Sequence, residues 1–201
     1  KKKGKGLRYL DSDLNRSFPG NPWGNHEERL ADAIIKELDY CDYVLDFHST
    51  TAETEDFIIT CGESKLAQLF PLRKVVDISA ISKGNSLIEN VKNGISIEYS
   101  RSTSLNTVVE QVSQFLVNLG FTRGQRKFFP QENYQVYGKL EKTRTNKNIR
   151  FDNFYEQTFD QETFFPVLYG EKEYKDILVL KLGESNYLSG KEMFPSTTSE
   201  R

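Results

Sequence analysis

The 201 residues predict an α/β fold. The expected architecture is a mixed, largely parallel sheet flanked by helices over residues 1–123, a small C-terminal β-rich domain over 124–190 and a flexible tail over 191–201. Three observations carry this. An apolar run with β-branched and aromatic residues, Tyr43 to Phe47, ends on His48 and passes into the loop Ser49-Thr50-Thr51, as a buried strand with a ligand-bearing carboxyl end does. Strand-like runs alternate with helical patterns, which implies strands under helical cover. From Gln125 onward aromatics, Gly, Asn and short alternating runs take over.

In chain order, Leu7 to Phe18 reads LRYLDSDLNRSF and is broken by Pro19, Gly20, Pro22 and Gly24. This polar stretch is too irregular for an amphipathic helix and predicts a strand leading into a charged loop. Asn25 with Glu28 makes a capping box, and Leu30, Ala33, Ile34 and Leu38 give helix 26–39 its buried stripe. His26 falls in the first turn and reads as a surface residue. Phe57–Thr60 is a second strand, Ser64–Phe70 a short helix and Val75–Ile78 a third strand. Residues 94–99 alternate as a strand and set Glu98 near its carboxyl end, as His48 is set in the first. Ser104 to Leu119 carries Leu105, Val108, Val109, Val112, Phe115, Leu116 and Leu119 on one helical face, with Gly120 as C-cap. The later strands are Tyr134–Glu141, Phe164–Leu168 and Ile177–Leu182.

Composition narrows the function. With 37% hydrophobic and 28% charged residues the chain can bury a core as a soluble protein. No apolar run approaches the roughly 20 residues of a membrane span, and Lys-Lys-Lys-Gly-Lys-Gly leads into no apolar signal region. A net charge of −2 argues against nucleic acid as a partner. Cys41 and Cys61 make neither a disulfide framework nor a zinc knuckle, and read as reduced thiols of a cytoplasmic protein.

Three segments are expected to converge: the Arg8–Arg16 loop, His48 and Glu98. A histidine at a strand end suits a metal or a proton, although it can equally be a satisfied structural residue. Glu98 could take a proton from water and hand it to a leaving amine, or stand as a solvated strand-end carboxylate. Arginines suit an oxyanion and a carboxylate, the latter bidentately. Surface ion pairs of Arg8 and Arg16 with Asp11 and Asp13 are the alternative.

The motifs RYLDSDLNRSFPG at 8–20, LDFHSTT at 45–51 and GISIEYS at 94–100, with a weaker FPVLYGEKEY at 165–174, resemble the succinylglutamate desuccinylase/aspartoacylase family. These are zinc amidohydrolases with a zinc-carboxypeptidase-like catalytic domain. The resemblance implies His48 as a zinc ligand, Glu98 as general base and Arg8 at the scissile carbonyl. It implies Asn15 and Arg16 as the clamp on the amino acid's carboxylate, Tyr174 as a substrate contact and Asp13 as support for an arginine. The expected function is zinc-dependent hydrolysis of an N-acyl amino acid bearing a carboxylate. A non-catalytic module that binds an acylated amino acid and a zinc carboxypeptidase are the alternatives. Homo-oligomerisation stays open.

Two departures qualify this. The family takes two further zinc ligands from a His-x-x-Glu segment ahead of the Asp-Leu-Asn-Arg loop, and no such motif occurs in the sequence. Truncation is the expectation, a degenerate homologue the alternative; with one ligand where three are usual, zinc binding and hydrolysis should be impaired. The family's arginine shortly before the general base is also absent, since Asn85–Asn93 holds Lys92 but no arginine, which leaves the acyl group open.

Overall fold

The structure is a computed structural model that describes residues 9–143 and 148–185. Arg8 and the tail over 191–201, both singled out above, lie outside the described residues.

Eight strands form one mixed sheet: β1 (Val44–Thr50), β2 (Phe57–Thr60), β3 (Lys74–Asp77), β4 (Gly94–Ser100), β5 (Glu132–Glu141), β6 (Gln157–Phe159), β7 (Glu162–Val167) and β8 (Ile177–Glu184), in the order β1-β4-β2-β3-β5-β8-β7-β6. Helices α1 (His26–Leu38), α2 (Lys65–Leu69) and α3 (Leu105–Leu119) flank it. The pairs β1/β4, β2/β3 and β3/β5 are parallel, and the remaining four are antiparallel. No helix among the described residues is long and apolar enough to cross a membrane.

Side chains alternate across a strand, so the sheet has two faces with different cover. On one face Ile58, Val75, Ile95 and Ile97 pack with Leu66 and Phe70 around α2 and with Phe115 of α3. On the other, Phe57, Val76, Val136, Val167, Leu180 and Leu182 pack with Phe154. This second cluster joins strands on both sides of residue 123, and β5 pairs directly with β3.

Several elements follow the sequence closely. Ser64 and Ser104 cap α2 and α3, Gly120 ends α3 with φ 89°, and the capping box of Asn25 and Glu28 is complete. Other expectations are corrected. Residues 9–13 form no strand; bends lead instead into a 3₁₀ turn, Leu14–Arg16, capped by Asp13. Helix α1 buries Glu27 and Ala31 and leaves Leu30 and Ala33 exposed. Its inward face is set by Glu27, whose carboxylate accepts from the amides of Leu10, Asp11 and Ser12. On α3, Leu105 and Val109 are exposed, because the helix docks through its C-terminal half. There Phe115 meets Phe70 at 5.4 Å between ring centres, and buried Asn118 bonds Leu69 and Lys127. Strand β6 was not expected; it pairs with β7 through a tight turn in which Asp160 and Gln161 both have positive φ.

Candidate functional site

A cavity of about 200 Å³ opens where β1 and β4 give way to their loops, and it is lined by Asn15, Arg16, His48, Glu98 and Tyr174. All the described residues given metal, catalytic or substrate-binding roles above therefore share one space.

Parallel pairing sets its centre. His48 stands in register with Glu98, and Asp46 with Ser96, so four polar side chains occupy one face of two neighbouring strands. Asp46 Oδ2 lies 2.7 Å from His48 Nε2 and accepts from the Ser96 hydroxyl at 3.1 Å. A carboxylate on one ring nitrogen fixes both the tautomer and the orientation of an imidazole.

The Asn15–Arg16 side is built from loops tied to each other. Asp13 caps the 3₁₀ turn by accepting from the Asn15 amide at 3.0 Å. The Asn15 side chain in turn accepts from the Leu87 amide at 3.0 Å, and the Phe18 amide donates to the Asn85 carbonyl. Segment 82–90 is gathered around Glu89, which accepts from the hydroxyls of Ser82 and Ser86 and from the amides of Gly84, Asn85 and Ser86. Burial alone would raise the Glu89 carboxyl, but these donors outweigh it and hold it down to about 2.

The third side comes from the chain's far end. Glu171, 9% exposed, accepts from the hydroxyl of Thr50 at 2.5 Å, from the amide and hydroxyl of Thr51 at 2.8 Å each, and from the Glu173 amide at 2.9 Å. The Lys172 amide donates back to the Thr51 hydroxyl, and the Tyr174 amide to the Glu171 carbonyl. Burial pushes the Glu171 carboxyl up; the Glu173 amide, the Thr50 and Thr51 hydroxyls and the Thr51 amide together hold it down to about 2. Segment 171–174 is thereby fastened to the loop that follows His48.

Residues 2–87 match the family model described as the succinylglutamate desuccinylase/aspartoacylase catalytic domain. Over this stretch, somewhat under half of its length, the chain is similar to that family's catalytic domain. The matched stretch of the desuccinylase/aspartoacylase domain holds Arg8, Asn15, Arg16 and His48; Glu98 and Tyr174 lie beyond it and are joined to it by the cavity. Among solved structures, murine aminoacylase 3 is similar at 20% identity and TM-score 0.64, covering 88% of this chain and 78% of that one. An aspartoacylase family protein from Mesorhizobium loti is 20% identical with TM-score 0.55, over 87% of this chain and 60% of its own. Succinylglutamate desuccinylase from Vibrio parahaemolyticus is 15% identical with TM-score 0.58, over 88% and 66%. At these identities the likeness shows a shared fold. No curated protein matches the chain.

A catalytic zinc takes three protein ligands and a water. Among the described residues no three His, Cys, Asp or Glu side chains are grouped to hold a metal ion. His48 with its neighbours does not by itself fit a catalytic zinc. Asp46, Ser96, Glu171 and Glu89 were not among the residues predicted. The first two stand two positions from His48 and Glu98, so period-two reading could have found them. Glu171 bonds across 120 positions, and nothing local announces that.

Proposed function

We propose that the cavity binds an N-acyl amino acid by its carboxylate and that its residues serve hydrolysis of the amide bond. The observation that carries this is the meeting, in one small cavity, of Asn15 and Arg16 with His48, Glu98 and Tyr174. The likeness to an aminoacylase and a succinylglutamate desuccinylase supports the same reaction class.

Arg16 grips the substrate carboxylate through its planar fork, with Asn15 beside it. Glu98 accepts a proton from the attacking water as the new carbon–oxygen bond forms. It returns that proton to the amide nitrogen as the carbon–nitrogen bond breaks, so that acid and amine leave in balance. Asp46 holds the His48 ring, and Glu171 holds Tyr174 against the site. Arg8 is assigned to the developing oxyanion. His48 is assigned to zinc as one ligand of the three that a catalytic zinc needs, and this chain is proposed to bind zinc weakly and to hydrolyse slowly.

The test is release of free amine from N-acyl amino acids, with and without added zinc, beside calorimetric titration of the same compounds. The expected outcome is measurable binding, slow hydrolysis, and loss of hydrolysis but not of binding in Glu98→Gln. Hydrolysis that survives Glu98→Gln unchanged would remove the general-base assignment. Arg16→Lys should weaken binding by about 1–3 kcal/mol, as expected when a charged hydrogen-bonding group loses its bidentate partner. An unchanged affinity would show that the carboxylate sits elsewhere. A second reading is a module that binds without catalysis; binding with no turnover under any metal condition would select it.

A further inference from the structure

Residues 82–90 form neither helix nor strand, yet Ser86 and Ile88 in this segment line the cavity. A segment outside any ladder has to satisfy its backbone by other means. Here one side chain takes the amides and its neighbour takes the carbonyls. Glu89 Oε1 accepts from the Ser82 hydroxyl and, at 2.8 Å, from the Gly84 amide. Its Oε2 accepts from the Asn85 amide at 3.1 Å, the Ser86 amide at 2.7 Å and the Ser86 hydroxyl at 2.6 Å. Asn90 Nδ2 donates to the carbonyls of Gly84 at 3.0 Å and of Ser86 at 2.7 Å. The Glu89 carboxyl is ionised at neutral pH, so its five bonds are charge-assisted. Donors converge on both oxygens, and a glutamine would turn an N–H against one set of them.

The next amide along is turned out of this knot. Leu87 N–H donates to Asn15 Oδ1 at 3.0 Å. A backbone N–H can only donate, so the atom facing it is the oxygen, and the Asn15 amide is fixed in one of its two flips. Asn15 lines the cavity beside Arg16 and, with its oxygen engaged, has an N–H group to offer a ligand. A carboxylate needs such a donor. The opposite flip would present an acceptor and oppose it. Glu89 itself does not line the cavity.

Resting on the proposed function and deepening it, we infer that Glu89 is a positioning residue for the carboxylate clamp. It acts at one remove: it gathers segment 82–90, the segment holds the Leu87 amide in place, and that amide sets the flip of Asn15.

The experiment is a double-mutant cycle of Glu89→Gln with Asn15→Ala, read by isothermal titration of the full chain with N-acetyl-alanine at pH 7. Glu89→Gln is expected to raise Kd about tenfold when Asn15 is present and less than about twofold in the Asn15→Ala background, as for residues in one hydrogen-bond network. In amine-release assays KM should rise with Kd while kcat stays within about twofold, because nothing at the reacting amide has moved. If Glu89→Gln does not fold by circular dichroism, Ser82→Ala takes its place. That change removes a single exposed hydroxyl from the knot and should weaken binding about two- to threefold, again only when Asn15 is present. Unchanged binding, an equal loss in both backgrounds, or a fall in kcat to match the rise in KM overturns the inference and leaves the proposed function standing. No binding of N-acetyl-alanine by the unmutated chain overturns both.

Discussion

Glu171 is the residue on which the shape of the site leans most. It is nearly buried, and its two oxygens accept from Thr50, Thr51 and Glu173. Removing the acceptor by Glu171→Ala leaves those donors desolvated and unsatisfied, which should cost about 1–3 kcal/mol in a urea melt at pH 7. It should also weaken ligand binding, because Tyr174 is held through this segment. The sign of the pH dependence follows from linkage. An ordinary glutamate titrates at 4.5 and Glu171 in the fold at about 2, so between these values the unfolded chain holds a proton that the folded chain does not. The stabilisation is complete above about pH 4.5 and drains away as pH falls towards 2. Glu89 titrates at about 2 in the fold and shares that window. Glu171→Gln should therefore reduce the acid slope of urea midpoints between pH 5 and pH 3, leaving the part carried by Glu89. A slope equal to that of the wild type would mean that Glu171 is not held as described.

At the scale of elements, the site depends on a loop lying flat on a helix. Gly20 has φ 98°, and a methyl group placed on it would fall 2.1 Å from the Asp32 amide nitrogen and 2.6 Å from the Glu28 carbonyl oxygen. Both are backbone atoms of α1 and cannot swing aside. Gly62 also has positive φ, at 86°, but a methyl there meets nothing within 4 Å. Gly62→Ala should cost only the left-handed strain of about 1–2 kcal/mol. Gly20→Ala should cost more and, by lifting the loop that carries Asn15 and Arg16, should weaken binding of N-acetyl-alanine; thermal melts and titration of the two variants side by side check this. What the sequence disclosed at this scale follows the same local logic. The capping box, the serine caps and the Gly120 stop were legible because each is written within four residues. The inward face of α1 was not, because Glu27 is polar by type and is buried only through the amides of Leu10 to Ser12. The β6–β7 hairpin was missed because Asp160 and Gln161 take a turn whose usual signal is Asn-Gly or Asp-Gly.

At the scale of the molecule, the candidate residues could be named one by one from the sequence, but what brings Asn15, Arg16, His48, Glu98 and Tyr174 to one cavity was not legible there. The cavity is walled by β1 and β4 on one side and by β5, β7 and β8 on the other, and the sheet passes unbroken between them through the β3/β5 pairing. Further ties cross the same line. Asn153 donates to the Glu53 carbonyl at 2.7 Å, Glu171 bonds Thr50 and Thr51, and Phe154 packs on Phe57 at 5.3 Å between ring centres. Chains above about 150 residues commonly unfold through intermediates, and a separable C-terminal unit would do so here. The shared core argues the other way: losing either half exposes the apolar face of the other. Scanning calorimetry should give one transition whose van't Hoff and calorimetric enthalpies agree. Val136→Ala, a cavity-forming change at a fully buried position, should move that transition down without splitting it. A ligand that fills the cavity should move it up as a whole, because only the intact sheet binds. Two resolved peaks, with the ligand shifting just one, would place the binding residues on a single half and reduce the other to a cover.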